Sequence, residues 1–469
     1  MAKAGLSKRK ASPKASKPKS KEAKKESRSF LKKAGTQRKA KARPRPQAVN
    51  SFPKGFLWGT ATSAHQVEGF NHNSWSEWEK LPGKIVDGTV SGPACEQYKR
   101  FARDIADLKR LNTTSYRFSL EWSRLEPEPG RWDDKEFAHY ARVLAELKKN
   151  SLVPMVTLHH FTNPLWFEEM GGFANPSSIS LFGRFAREVA QRLGSGVRLW
   201  CTINEPVIYT YFGYITGKWP PGKMSLKLGR RVFINLLFAH AAAYKSLHQI
   251  LGPAIQVGIA KHFRIFDPLR PTNPFDRYVS QLYDRIFNLS FCQALLEGLI
   301  PWPLARNKRI PELAGTLDFL GINYYSREMV RFRPTRPESL FAEYSSKLVA
   351  PKNSLGWEIY PEGLYRVVKR CSAWGIPLYI TENGTSVRDD RVRQAFIINH
   401  LRELQRAILE GADVRGYYYW SSLDNFEWTE GYTAKFGLYA VDFKTQKRTL
   451  RPSGKFFSQI AKNNGLVLG

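Results

Sequence analysis

The chain has 469 residues, 42% hydrophobic and 13% aromatic, with a net charge of +32. This composition excludes a wholly disordered, collagen-like or disulfide-stapled chain. No stretch reaches the roughly 18 uncharged apolar residues that a membrane-spanning helix requires.

Half of the positive excess sits in residues 1–50, which hold 18 Lys and Arg against two Glu and a single aromatic, Phe30. Such a segment cannot bury enough apolar surface to offset its ordering entropy, so a disordered Lys/Arg-rich tail is expected. Its functional reading is attraction to a polyanion, either nucleic acid or an acidic surface. The alternative is a solubilising extension with no partner. The tail lacks the apolar stretch of a secretion signal. The four cysteines, Cys95, Cys201, Cys292 and Cys371, lie far apart in no paired spacing. Together these features predict reduced thiols in a cytoplasmic protein.

Residues 51–469 read as one domain. Short apolar strands are expected at 56–61, 115–120, 154–158, 198–203, 256–260, 318–322, 377–381 and 415–420, with helical patterns between them. At 98–111, for example, Phe101, Ile105, Leu108 and Leu111 recur on one helical face. Eight β/α units in order predict an α/β fold of the (β/α)8 TIM-barrel type. An open doubly wound sheet is the alternative, but the glycine-rich loop expected after its first strand is missing.

Polar residues gather where the strands end: Gln66, Arg117, His160, Asn204 with Glu205, Asn323 with Tyr325, Glu382 and Trp420. In a barrel these positions converge on the C-terminal mouth, where active sites lie. Glu205, in Thr202-Ile203-Asn204-Glu205-Pro206, and Glu382, in Tyr379-Ile380-Thr381-Glu382-Asn383-Gly384, each close an apolar run. Burying a carboxylate is costly, so two such endings point to a carboxylate pair sharing one cleft, the equipment for cleaving a glycosidic bond. One acid must stay ionised, and Arg117 and Tyr325 are its natural partners. The other must hold a proton, which burial and a nearby negative charge favour.

The chain resembles glycoside hydrolase family 1, the β-glucosidase and β-galactosidase family, from about Phe52 to Leu466. Besides the two glutamate runs, the ordered matches include Ser63-Ala64-His65-Gln66, Tyr116-Arg117-Phe118-Ser119, Thr157-Leu158-His159-His160, Gly321-Ile322-Asn323-Tyr324-Tyr325 and Asn425-Phe426-Glu427-Trp428. The resemblance implies a retaining β-glycosidase with Glu382 as nucleophile and Glu205 as general acid/base. It implies that Asn204 holds the sugar 2-hydroxyl, that Gln66, His160, Glu427 and Trp428 bind the other hydroxyls, and that Trp420 stacks under the ring. Trp357 would line the leaving-group side and Tyr325 would belong to the substrate-binding set, with Arg117 and Asn323 in support. No metal or organic cofactor is implied. Two other functions remain open at this point: transglycosylation at the same site, and a catalytically silent sugar-binding barrel with a polyanion-binding tail.

Three details bear on the substrate. Glu205 stands where the family's thioglucosidases carry Gln, so O-glycoside hydrolysis is expected. Glu427 stands where the 6-phospho-glycosidases carry Ser, and their Lys and Tyr phosphate clamp is replaced by Ala434 and Phe436. An unphosphorylated β-glucoside is therefore expected, with β-galactosides or β-fucosides as neighbouring options. After His160 the family's Trp-Asp-Leu-Pro becomes Phe161-Thr162-Asn163-Pro164, which removes an indole donor. The Arg-, Pro- and Ser-rich stretch 327–353 is expected to be a loop over the mouth.

Overall fold

The computed structural model describes residues 51–336, 339–345 and 350–466. The basic segment 1–50, with its expected disorder and polyanion affinity, lies outside the described residues. Eight strands form the barrel: β1 (Leu57–Ala61), β2 (Ser115–Ser119), β3 (Val153–His159), β4 (Leu199–Asn204), β5 (Gln256–Pro268), β6 (Phe319–Phe332), β7 (Leu378–Asn383) and β8 (Val414–Trp420). Every neighbouring pair is parallel, β8 pairs with β1, and the pairing of β6 with β7 closes the ring. The eight expected strands are all present, and the closed ring replaces the doubly wound alternative.

Alternation along the strands separates two apolar layers. Met155, Leu199, Phe319, Tyr379 and Tyr418 meet inside the barrel. Trp58, Val156, Trp200, Ile259 and Leu320 face outward into the larger core beneath the helices. The helices turn matching faces to them. In α1 (Gln97–Arg110), Ile105 and Leu108 are buried. In α2 (Asp134–Lys149), the Asp133 side chain caps the first turn, accepting from the amides of Lys135 and Glu136 at 2.9 and 3.3 Å. The four cysteines are buried and unpaired. Among the described residues, no helix is long and apolar enough to cross a membrane.

The expected mouth loop at 327–353 is corrected in part. Residues 327–332 continue β6, and Ala342–Ser345 pairs with it antiparallel. β5 runs on beside β6 as far as Pro268, well beyond the residues expected in each strand. Composition hid this extension because its apolar side is narrow: only Met329, Val330 and Ala342 turn fully inward, and the last two pack against Phe266 and Val279.

At the mouth, the turn leaving β7 presses on the end of β8. A Cβ placed on Gly384 would lie 1.9 Å from the Trp420 carbonyl oxygen. Backbone cannot yield as a flexible side chain does, so Gly384→Ala should cost about 1–3 kcal/mol. A lowered melting temperature in Gly384→Ala checks this; an unchanged one contradicts the close packing of the two strand ends.

Candidate active site

The site is built around a buried guanidinium. Arg117 rises from β2 and is inaccessible to solvent. One terminal nitrogen donates to Glu382 Oε1 at 2.5 Å, the other to Asn204 Oδ1 at 2.7 Å, and Nε to Thr157 Oγ1 at 3.2 Å. The second Glu382 oxygen accepts from the Tyr325 hydroxyl at 2.6 Å. Both donors expected for this carboxyl from the sequence are therefore on it.

Two local irregularities bring the second acid to the same place. The register of β4 against β5 slips between Cys201 and Asn204, so the strand's alternation breaks where it ends. Glu205 then adopts a left-handed backbone, φ 44°, anchored by its amide on the Ala260 carbonyl at 2.7 Å, and Pro206 opens the following short helix. As a result the consecutive residues Asn204 and Glu205 both serve the mouth. Asn323 bridges them: its Nδ2 donates to Glu205 Oε1 at 2.8 Å and to Asn204 Oδ1 at 3.2 Å, and its Oδ1 accepts from Thr381 at 2.7 Å. With Oδ1 of Asn204 taken by two donors, its Nδ2 donates to His160 Nε2 at 3.1 Å, which makes His160 the Nδ1-protonated tautomer.

On the other side Gln66 Nε2 donates to Glu427 Oε2 at 3.3 Å and to the Phe426 carbonyl at 3.0 Å. Trp420 also donates to Glu427. The His160 ring lies nearly parallel to Trp420 and Trp428, with centroids 5.9 and 6.1 Å away. His65 stacks on Trp428 at 5.7 Å, in keeping with a structural role. Trp357 packs against Tyr325 and Phe436 on the outer rim. Phe161 sits edge-on to Trp428 and Trp219, while Asn163 turns inward to Tyr209 and Glu168. A cavity of about 620 Å³ is lined by Glu205, Glu382, Glu427, Trp357, Trp420 and Trp428, whereas Gln66, Arg117 and Asn323 lie outside its lining.

Electrostatics couple the acids. Burial lifts Glu382 to about 7, against the Arg117 charge and with the Glu205 charge. Burial and the Glu382 charge lift Glu427 to about 8. Burial also acts upward on Glu205, but the His262 charge, hydrogen bonds from His262 and Asn323, and the Lys261 charge outweigh it and bring this carboxyl below its ordinary value. Burial and the Arg117 charge hold His160 well below the usual imidazole range, so it is neutral.

His262 had no place among the residues expected from the sequence, nor did the cavity-lining Trp219. The signal for His262 was available. Seven of the expected strands end in a polar residue, and the fifth, expected to stop at 260, ends without one. His262 lies two residues further on.

The chain matches the family model for glycosyl hydrolase family 1 over residues 48–466. It is 34% identical over 448 residues to β-glucosidase A of Thermotoga maritima, covering 89% of this chain and 99% of that one. It is 30% identical over 458 residues to the 6-phospho-β-glucosidase GmuD of Bacillus subtilis, covering 88% and 98%. The solved β-glycosidase from Pyrococcus horikoshii superposes with a TM-score of 0.84 at 39% identity, covering 89% of this chain and 96% of that one. The barrel and its carboxyl-lined mouth are those of a β-glycoside hydrolase. The chain belongs to glycosyl hydrolase family 1, a retaining family, and is an enzyme of β-glucosidase type.

The raised acids make stability depend on pH. Glu427 holds its proton in the folded chain up to about 8 but loses it near 4.5 when unfolded. The folded state therefore binds more protons across that window, and stability falls as pH rises through it. Glu427→Gln removes this contribution. Its melting temperature should drop less than the parent's between pH 5.5 and 8.5, by about 1–3 °C. Parallel pH dependences in the two proteins would refute the buried, protonated state of Glu427.

Proposed function

We propose that the protein hydrolyses unphosphorylated β-glucosides, with β-galactosides or β-fucosides as neighbouring substrates, using Glu382 as nucleophile and Glu205 as acid/base. The observation that carries this reading is the division of partners: a permanent cation touches Glu382, whereas Glu205 meets an amide and an imidazole. The lowering of Glu205 draws on a charged His262, and burial depresses the proton affinity of His262 itself. Near neutral pH the imidazole is neutral, Arg117 is still charged, and the negative charge belongs on Glu382 with the proton on Glu205.

In the first step a Glu382 oxygen attacks the anomeric carbon. The glycosidic C–O bond breaks with its electron pair on oxygen, which takes the Glu205 proton. In the second step Glu205 takes a proton from water, and the water oxygen displaces Glu382 from the same carbon. Two inversions retain the β configuration. Arg117 and Asn323 fix the amide of Asn204 so that its Nδ2 is left as a donor, suited to the sugar 2-hydroxyl. Gln66, His160, Glu427 and Trp428 hold the remaining hydroxyls, Trp420 lies under the ring, and Trp357 meets the leaving group.

The pocket wall favours a sugar without phosphate. Ala434 and Phe436 are buried in the apolar layer with Trp420, so neither offers a cation. The Glu427 carboxyl occupies ground that a phosphate dianion would have to share. A cytoplasmic setting is supported by the four buried, unpaired thiols.

A panel of 4-nitrophenyl β-glucoside, β-galactoside, β-fucoside and β-glucoside 6-phosphate tests the assignment. Turnover is expected on a neutral sugar and not on the phosphate. Glu382→Gly should be inactive. Glu205→Ala should lose about 10²–10⁴-fold and recover with azide, giving the β-glycosyl azide. Turnover of the 6-phosphate alone would overturn the substrate reading, and an α-azide product would overturn the roles.

A further inference from the structure

His262 stands on β5, two residues past Ala260, whose carbonyl anchors the Glu205 amide. Its Nδ1 lies 3.1 Å from Glu205 Oε1. The ring is held on both sides, stacked on Tyr325 at 5.8 Å and set edge-to-face with Phe287 at 5.6 Å. Nε2 is buried and has no hydrogen-bonding partner among the described residues.

These contacts decide the protonation state. A proton on Nε2 would be a buried N–H with nothing to receive it, which is the costlier orphan. The tautomer that avoids it carries the proton on Nδ1 and donates to Oε1. An imidazolium would strand the same N–H. It would also face the Lys261 ammonium, which is buried beside it with its Nζ on the His262 carbonyl, and the Arg264 guanidinium, which is paired with Glu328. Glu205 is the acid that faces the ring, and the Tyr325 hydroxyl, stacked alongside, is committed to Glu382. Burial, Arg264 and Lys261 accordingly press the imidazole toward its neutral form.

Oε1 of Glu205 then receives two N–H donors, from His262 and from Asn323, and cannot itself carry a proton without losing one. We propose that His262 is a positioning residue for the acid/base: as a neutral Nδ1–H donor it pins Oε1 of Glu205, confines the transferred proton to Oε2, and favours the carboxylate that must later deprotonate water. The inference rests on the assignment of Glu205 made above. It deepens that assignment by naming the oxygen that transfers the proton and the residue that sets when it is lost. A donor to a carboxylate lowers its proton affinity, so His262 advances the second step while making the acid needed for the first step ionise at lower pH.

The test compares the parent with His262→Leu, His262→Asn and Glu205→Gln, using an alkyl β-glucoside, which needs protonation to leave, and 2,4-dinitrophenyl β-glucoside, which does not. In His262→Leu the basic limb of kcat/KM for the alkyl glucoside should move up by about one pH unit. Its kcat on the dinitrophenyl substrate, limited by the second step, should fall by about tenfold. His262→Asn, which keeps an N–H, should return the limb toward the parent. A purely structural role would scale all rates alike and leave the limb in place, and that result overturns the proposal. Glu205→Gln separates the two readings. If it spares the alkyl glucoside, the acid/base assignment falls and this inference with it. If it loses that substrate selectively while the His262→Leu limb does not move, only the inference about His262 falls. ¹⁵N spectra of the parent's histidines give an answer that needs no variant to fold: His262 should be a neutral Nδ1–H imidazole near pH 7, and an Nε2–H tautomer or an imidazolium would refute it.

Discussion

The desolvated guanidinium of Arg117 is the interaction on which the rest of the mouth depends. Removing a charge of that size from water costs several kcal/mol even after relaxation, and only converging acceptors offset it. Here the acceptors come from three other strands: Thr157 on β3, Asn204 on β4, and Glu382 with the Thr381 carbonyl on β7. The dependence runs both ways. Without Arg117, Glu382 would be a carboxyl buried among aromatic rings, and the Asn204 amide would lose the contact that orients it. A single side chain thus ties opposite walls of the barrel together and sets the chemical difference between its two acids.

A regular strand could not present these groups. Side chains alternate between the barrel interior and the helix layer, so neighbouring residues such as Asn204 and Glu205 should point opposite ways. The slip in register on β4 and the left-handed backbone at Glu205 break that rule at the point where both side chains are needed. β7 slips against both of its neighbours around Glu382. A non-glycine residue with positive φ is held only where its surroundings over-determine it. At Glu205 the surroundings are the hydrogen bond its N–H donates to the Ala260 carbonyl, the proline that follows, and the two donors on its carboxyl.

The fold was legible because each strand is a short apolar run bounded by helical periodicity, and closure follows from eight such units in order. Nine of the expected site residues, Gln66, Arg117, His160, Asn204, Glu205, Asn323, Tyr325, Glu382 and Trp420, stand out as side chains at the ends of apolar runs, whereas Trp357, Glu427 and Trp428 were expected from the family resemblance alone. The reasoning failed where those contrasts fade. The extension of β6 beyond the barrel carries Arg327 and Arg331, and its buried side is too narrow to show in composition. His262 was missed because β5 continues without a break through Lys261 and His262, so no strand end drew attention to it. Burial of Lys261 does not show in the sequence, since a lysine with Arg264 three residues on reads as surface. Its place on the rings of Phe263 and Phe287 is a tertiary fact.

The coupling among the buried acids bears on how one site performs two opposite proton transfers. The charges of Glu205 and Glu382 act on each other, and the charge of Glu382 also raises Glu427. With Glu382 as the nucleophile, forming the glycosyl ester removes its negative charge. On the proposed roles, Glu205 then loses the repulsion of the Glu382 charge, while the donors from His262 and Asn323 remain. On that reading the carboxylate is favoured at the step that requires a base. Glu427 is relieved by the same event. On the proposed roles, a Glu427 that ionises as the Glu382 charge is lost accepts more strongly from sugar hydroxyls, since a carboxylate is a stronger acceptor than a carboxylic acid. On these roles the alternation between acid and base needs no moving part. It follows from three carboxyls in one desolvated cavity with a single cation bound to one of them.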